Sequence, residues 1–205
     1  MKFIFNTNQH YVLEDDAVLL RPLQATDMAH LKCFAINEPT LWQYSLVPAS
    51  GVHGMATYID AALAQRAKGL AYAFIVFDKK IQQYAGCTRF YDIQLANNML
   101  QLGYTWYGAA YQGTGLNKHC KLLMLQFAFE QIGMHRVEFR ADINNARSIA
   151  AMKSTGCTTE GILRENCTKA DGTYRTSIVL SILKSEWQEG VKDRLIEKIN
   201  TCNAL

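Results

Sequence analysis

Proline is scarce. Only Pro22, Pro39 and Pro48 occur, all in the first quarter of 205 residues. The rest of the chain can run in helices and strands with little interruption. No apolar run reaches the roughly 18 residues of a membrane span. The opening MKFIFNTNQHYVLEDD lacks the apolar core and small-residue cleavage site of a signal peptide. Charge of one sign is also missing: the net charge is +3 and no basic cluster stands out, so nucleic acid has no footprint. These absences point to a cytoplasmic protein with neither a membrane nor a nucleic-acid partner.

Six cysteines, Cys33, Cys87, Cys120, Cys157, Cys167 and Cys202, are scattered without a C-x-x-C pair. A disulfide framework belongs to shorter secreted chains, so reduced thiols are expected. The five histidines are equally scattered, and no metal site is expected. No repeat, linker or low-complexity tract divides the chain, which suits a single domain over 1–205.

What the chain does have is an alternation of β and α patterns. VLLRPL (18–23), LAYAFIVF (70–77), IQQYAGCTRFYDI (81–93) and MLQLGYTWYG (99–108) read as four strands. The last three form a meander with turns at DKK and Asn97–Asn98. A helix is expected over 25–37, capped by Thr26 or Asp27, and another over 55–68, stopped by Gly69. The loop between them carries Pro39, Pro48, Gly51 and Gly54.

The longest periodic segment, 115–132, puts Leu116, Cys120, Leu123, Met124, Phe127 and Ala128 on one helical face and ends at Gly133. A fifth strand (135–142) and a helix (144–156) closed by Gly156 follow. Two strands (157–167 and 172–183) then meet in a hairpin at Asp171–Gly172, and a C-terminal helix (185–200) is capped by Ser185. The sum is an α+β fold: a mixed, mainly antiparallel sheet flanked by helices, with one strand–helix–strand crossover near its middle.

AYQGTGLNKH (110–119) links the fourth strand to the long helix. The first N–H groups of a helix lack internal partners and, with the dipole, make an anion site. Gly113 and Gly115 would let a phosphate approach the backbone. Asn117 and Lys118 add a polar side chain and a charge. From these residues alone, a plain turn and a phosphate cradle both remain open. Walker A spacing is absent, and so is the third glycine of a dinucleotide fingerprint.

In its context, Gln112-Gly113-Thr114-Gly115-Leu116-Asn117 resembles the Q/R-x-x-G-x-G/A motif of the GCN5-related N-acetyltransferase (GNAT) family, which uses acetyl coenzyme A (acetyl-CoA). Asn117 departs from that pattern. GTGLN is nonetheless similar to the branch of ribosomal-protein N-acetyltransferases (RimJ/RimL-like). LRPLQATDMAHL, HRVEFRADINNARSIAAMKSTGC, EGILRE and DGTYRTSIVLSILKSEW are similar to it as well. The resemblance spans about residues 18–187. It implies a GNAT-like fold whose fourth and fifth strands splay around the cofactor.

It further implies that main-chain groups of Trp106 and Tyr107 bond the pantetheine. N–H groups from Gln112 to Asn117, those of Thr114 and Leu116 included, would hold the pyrophosphate. Asn145, opening NNARSI, would bond the pantetheine through its side chain; as a plain helix cap it reads equally well from its local sequence.

Many relatives donate the last proton from a Tyr four residues beyond the motif serine, where this chain has Met152. Ser148 becomes the candidate proton donor and Glu165 the candidate base. Glu138 and Arg140 alternate on the fifth strand and face either solvent or the site. Where relatives often have Asp in the last hairpin, this chain has Thr176, and Cys167 stands near the expected acid. Trp42 and Tyr44 are candidate acceptor residues, one of them expected to pack on the sheet instead.

The resemblance implies a primary-amine acceptor, most often a protein N-terminus, no metal, and a homodimer as the usual assembly. A small-molecule amine acceptor and a non-catalytic CoA-binding module are the competing expectations.

Overall fold

The structure, a computed structural model, describes residues 3–169 and 171–203. Met1, Lys2, Ala170, Ala204, Leu205 and the side chains of Cys202 and Asn203 lie outside the description. Among the described residues, eight strands form one sheet in the order β1-β2-β3-β4-β5-β6-β8-β7. The strands are β1 (Leu13–Glu14), β2 (Val18–Pro22), β3 (Ala71–Asp78), β4 (Gln83–Gln94), β5 (Met99–Tyr107), β6 (Arg136–Asp142), β7 (Thr158–Thr168) and β8 (Tyr174–Leu183). The fourth and fifth strands of the sequence reading are thus β5 and β6. They are the parallel pair; all other neighbours run antiparallel.

The helices are α1 (Met28–Asn37), α2 (Gly51–Ala67), α3 (Leu116–Gln126), α4 (Ala146–Thr155), α5 (Lys184–Glu186) and α6 (Lys192–Asn203). Helix α3 is the crossover between the parallel strands, as its long apolar face requires. It widens over Phe127–Ile132 and stops at Gly133 in the left-handed region. There, Phe129 stacks on the buried Trp187 at 5.5 Å, and the indole donates to Glu130 Oε1 at 2.9 Å. Among the described residues no helix is long and apolar enough to cross a membrane.

Several local expectations change. Helix α2 begins at Gly51, not 55. Gly51 and Gly54 were expected in the preceding loop, yet at Gly54 a Cβ would meet the Ala49 backbone at 3.0 Å, so its absence lets the entering chain pack on the first turn. Strand β1 is only two residues long, too short for any pattern. Asp27 makes no cap onto α1 itself, but it closes a capping box on the single turn before it by accepting the Gln24 N–H at 2.8 Å. Its carboxylate also accepts from both Arg21 Nη atoms, at 2.9 and 2.6 Å. Ser185 lies inside α5. The cap position is Leu183, whose N–H donates to the Glu186 carboxylate at 2.8 Å. The C-terminal helix is also broken, at Gly190 with φ +132°.

The scattered histidines hid one cluster. His119 Nδ1 lies 2.7 Å from Asp15 Oδ2, and Asp15, Asp16 and His119 bring their ligand atoms within 4.8 Å of one another. The pair ties the β1–β2 turn to α3. Hydrogen bonding to Asp15 raises the His119 pKa against its burial. Burial pushes the Asp15 carboxyl up, but bonds from His119 and the Val18 and Ala17 N–H groups outweigh it, so its pKa falls.

The signs set a window. Stabilisation from the raised histidine is full below its ordinary 6.5 and lost as pH rises through the folded value. Stabilisation from the lowered aspartate is full above its ordinary 3.8 and lost as pH falls through the folded value. Asp15→Asn should therefore lower the melting temperature more at about pH 5.5, where the pair is charged, than at about pH 9. Equal losses at both pH values in thermal melts would refute this electrostatic role.

Candidate functional site

The parallel strands touch only at their start. Met99, Leu100 and Gln101 pair with Arg136, Val137 and Glu138, and beyond them the strands part. The cause lies in β5. Three steps from Gly103 to Trp106 oppose two on β4, from Arg89 to Cys87. The extra residue is accommodated at Tyr104, with φ +48°. Such a bulge bends its strand and ends pairing. Behind it, buried Lys121 on α3 donates to Thr105 Oγ1, which shares a hydrogen bond with Thr88 Oγ1, each at 2.8 Å. Burial lowers the pKa of Lys121 to about 8.

At the open end of the cleft sits the 112–117 loop. Gln112 Nε2 donates to the Tyr107 carbonyl at 2.7 Å, and Thr114 Oγ1 to the Tyr111 carbonyl at 2.9 Å. These bonds brace the turn from within. Gly113 and Gly115 both have left-handed φ, +82° and +93°. A Cβ at Gly113 would meet no atom within 4 Å, so the space before it is open. Among the described residues, the N–H groups of Gly113, Thr114 and Gly115 have no protein acceptor. Leu116 N–H has one long bond, 3.4 Å, to Thr114 Oγ1. Asn117 Oδ1 accepts from the buried Tyr107 hydroxyl at 3.3 Å. The loop thus presents unpaired donors at the start of a helix, and these residues fit a phosphate group.

The two β5 positions differ. The Trp106 carbonyl lies toward β4, where a Cβ at Gly86 would come within 2.1 Å of it. Tyr107 presents its carbonyl to the Gln112 side. The side chains of Trp106 and Tyr107 are both core aromatics.

Asn145 caps α4: its Oδ1 accepts from Ser148 N–H at 3.0 Å. The amide nitrogen of Asn145 and the Ser148 hydroxyl bond no other described residue. Met152 is buried in α4. Glu165 is exposed on β7, where four steps from Leu163 to Cys167 oppose two on β8. Its φ is +47°, and its N–H donates to Thr176 Oγ1 at 3.2 Å. The Thr176 carbonyl in turn accepts from Ile143 N–H at 3.0 Å. Thr176 therefore links the turn before α4 to the bulge carrying Glu165. An open recess of about 740 Å³ runs along that bulge, bounded by Ile162–Asn166 and Thr176. No hydrogen bond joins Glu165 to Ser148 among the described residues.

Glu138 is already committed, accepting from Arg136 Nη2 and Arg140 Nε at 2.7 Å each. Trp42 is buried, edge-on to Trp106 at 5.4 Å, while Tyr44 is half-buried. The sequence reading missed Arg89 and Arg175, which flank the parted strands. A signal for Arg89 was present: it is the one charge in the otherwise apolar and hydroxyl-bearing run AGCTRFY.

Residues 17–158 match a family model described as an acetyltransferase (GNAT) domain. YjcK of Bacillus subtilis (strain 168), named a probable N-acetyltransferase, is 25% identical over 181 residues, 85% of this chain and 98% of YjcK. A GCN5-related N-acetyltransferase from Brucella melitensis superposes with a TM-score of 0.84 at 22% identity, covering 93% of this chain and 86% of the other. Mycobacterium smegmatis RimJ, solved in complex with CoA-disulfide, superposes with a TM-score of 0.73 at 20% identity, covering 92% and 93%. At these identities the two solved structures bear on the fold.

Proposed function

The chain belongs to the GNAT acetyltransferase family and is an N-acetyltransferase, and from that premise we propose that it moves the acetyl group of acetyl-CoA to a protein N-terminal amine. One observation carries the cofactor assignment: β5 parts from β6 above a loop in which, among the described residues, the N–H groups of Gly113, Thr114 and Gly115 have no protein acceptor. Acetyl-CoA supplies an activated acetyl thioester. The N–H groups of Gly113, Thr114, Gly115, Leu116 and Asn117 hold its pyrophosphate, with Gln112 bracing the turn. Main-chain groups of β5 hold the pantetheine, those of Tyr107 more directly than those of Trp106. Asn145 adds its free amide nitrogen while its oxygen keeps the α4 cap.

During transfer a C–N bond forms as the C–S bond breaks. The amine loses a proton and the sulfur gains one. Ser148 would give its hydroxyl proton to the departing sulfur and Glu165 would take the amine proton, directly or through water; solvent then carries that proton from Glu165 back to the Ser148 oxygen, which restores both groups. Because Glu165 is exposed, the site suits an amine that is already partly neutral. A protein N-terminus, with a pKa of about 8, meets that condition better than a lysine at about 10.4. Holding amine and thioester in line supplies much of the rate, up to ~7–11 kcal/mol in the best intramolecular cases. Tyr44 remains a candidate acceptor contact. Trp42 supports the same face by packing.

The test is acetyl transfer from acetyl-CoA to a panel of N-terminal peptides and small amines. Peptides are expected to react faster; modification of small amines alone, or of nothing while acetyl-CoA binds, would defeat the reading. Ser148→Ala is expected to lower kcat about a hundredfold with acetyl-CoA affinity within about twofold. An unchanged kcat would remove Ser148 from the mechanism.

A further inference from the structure

One face of the sheet beside the parted strands carries more positive charge and more hydrogen-bond donors than the protein answers. Arg89 pairs with Gly103, Tyr91 with Gln101, Gln101 with Glu138, and Glu138 with Ser181. Directly paired residues, and residues two apart on a strand, share a face. Arg89, Tyr91, Glu138, Arg140, Asp142, Arg175 and Ser177 therefore line the same one; the Asp142 carboxylate is taken by the Asn144 N–H at 2.9 Å and by Lys169 at 4.0 Å. Arg140 is answered by Glu138. Arg89 and Arg175 are not: among the described residues, neither lies within ion-pair distance of a carboxylate.

Both arginines are buried, with 5% and 8% of their surface exposed. Arg175 Nε donates to Ser177 Oγ at 3.0 Å. Arg89 lies over the rings of Tyr58 and Tyr104, at 5.0 and 4.3 Å. Its Nε–H is buried without an acceptor, as are the indole N–H groups of Trp42 and Trp106. These three donors belong to one aromatic cluster, with the Trp106 ring 5.4 Å from Trp42 and 6.3 Å from Tyr58. The Tyr104 and Tyr91 rings meet at 5.0 Å, so the aromatic row runs from Arg89 to Tyr91 on the face that also carries Arg175. A buried charge is costly unless it is paired, and guanidinium is shaped for planar oxyanions.

We propose that the acceptor bears a carboxylate close to its amine, and that Arg89 and Arg175 receive it. This rests on the acetyltransferase reading and names the class of acceptor for that site. The carboxylate has two sources: the acidic first side chain of a peptide, which keeps the N-terminal acceptor, or the α-carboxylate of a free amino acid, which would replace it.

The experiment is calorimetric titration of the CoA complex with unreactive, already acetylated twins. N-acetylglycine is compared with N-acetylglycinamide, and acetyl-Asp-Ala-Ala-amide with acetyl-Asn-Ala-Ala-amide. In at least one pair the carboxylate is expected to bind about tenfold tighter or more, and the pair showing it identifies the source. Arg175→Gln and Arg89→Gln should each bring the twins within about twofold. Because Arg89 is packed between rings, the melting temperature of each variant with CoA serves as the folding control, and Arg175→Gln decides alone if Arg89→Gln does not fold. Equal binding of both pairs to the native protein, as for sites filled by water, would overturn the proposal. So would a preference that survives in every folded variant. If the native protein binds no CoA, the acetyltransferase reading fails; the same twins titrated into the free protein still decide the carboxylate preference.

Discussion

Gly113→Asp is expected to weaken acetyl-CoA binding by a hundredfold or more, while Gly113→Asn weakens it by no more than about tenfold. The two side chains have nearly the same size and both tolerate the left-handed region better than other residues do. Gly113 sits there at φ +82°, with open space where a Cβ would go. Strain is therefore shared by the two variants and charge is not. A carboxylate placed among the N–H groups of 113–115 would occupy the donors intended for the pyrophosphate and repel it. At about 5 Å and an effective dielectric near 20, that repulsion is roughly 3 kcal/mol. Calorimetry with acetyl-CoA on both variants checks it. Equal affinities for the two would show that no anion binds at this turn.

The second large effect concerns the strand that shapes the cleft. Gly86→Ala should destabilise the protein by about 3 kcal/mol, or roughly 6–12 °C in melting temperature. A Cβ there would lie 2.1 Å from the Trp106 carbonyl oxygen and 2.9 Å from Tyr107 Cα. Both obstacles are backbone, so no side-chain rotation relieves them. Strands β4 and β5 must separate, and β5 moves into the space assigned to the pantetheine. Weaker acetyl-CoA binding should accompany the lower melting temperature. Gly161→Ala is the control, because a Cβ at Gly161 meets nothing within 4 Å. A Gly86→Ala protein that melts within about 2 °C of the native one would show that the close β4–β5 approach is dispensable.

What was legible in the sequence follows from range. Period-two and helical patterns are local, so the strands of the meander, α3 and the crossover could be read from residues such as Leu100, Leu102, Cys120 and Met124. The turn through Gly113 and Gly115 ahead of α3 was legible too, because its left-handed φ values are a property of its own backbone. Features set by contacts between distant segments were not. His119 and Asp15 are 104 positions apart. Asp27 was legible as a local cap, since it accepts the Gln24 N–H, but its ion pair with Arg21 was not. Arg89 is visible as an odd charge in a buried strand, yet its lack of a partner appears only once Tyr58, Tyr104 and the neighbouring carboxylates have places. Ser148 and Glu165 stand between these cases. Their elements were foreseen, but the bulge that exposes Glu165, and the Thr176 link between them, depend on the register of β7 against β8.

The central claim is that the 112–117 loop and the parted strand β5 hold acetyl-CoA. The most direct measurement is a titration with CoA followed through assigned backbone amide resonances. The account expects saturable shifts greatest at Gly113, Thr114, Gly115 and Tyr107, with β1 and β7 unmoved. Saturable binding that leaves these four amides in place and moves others would contradict it.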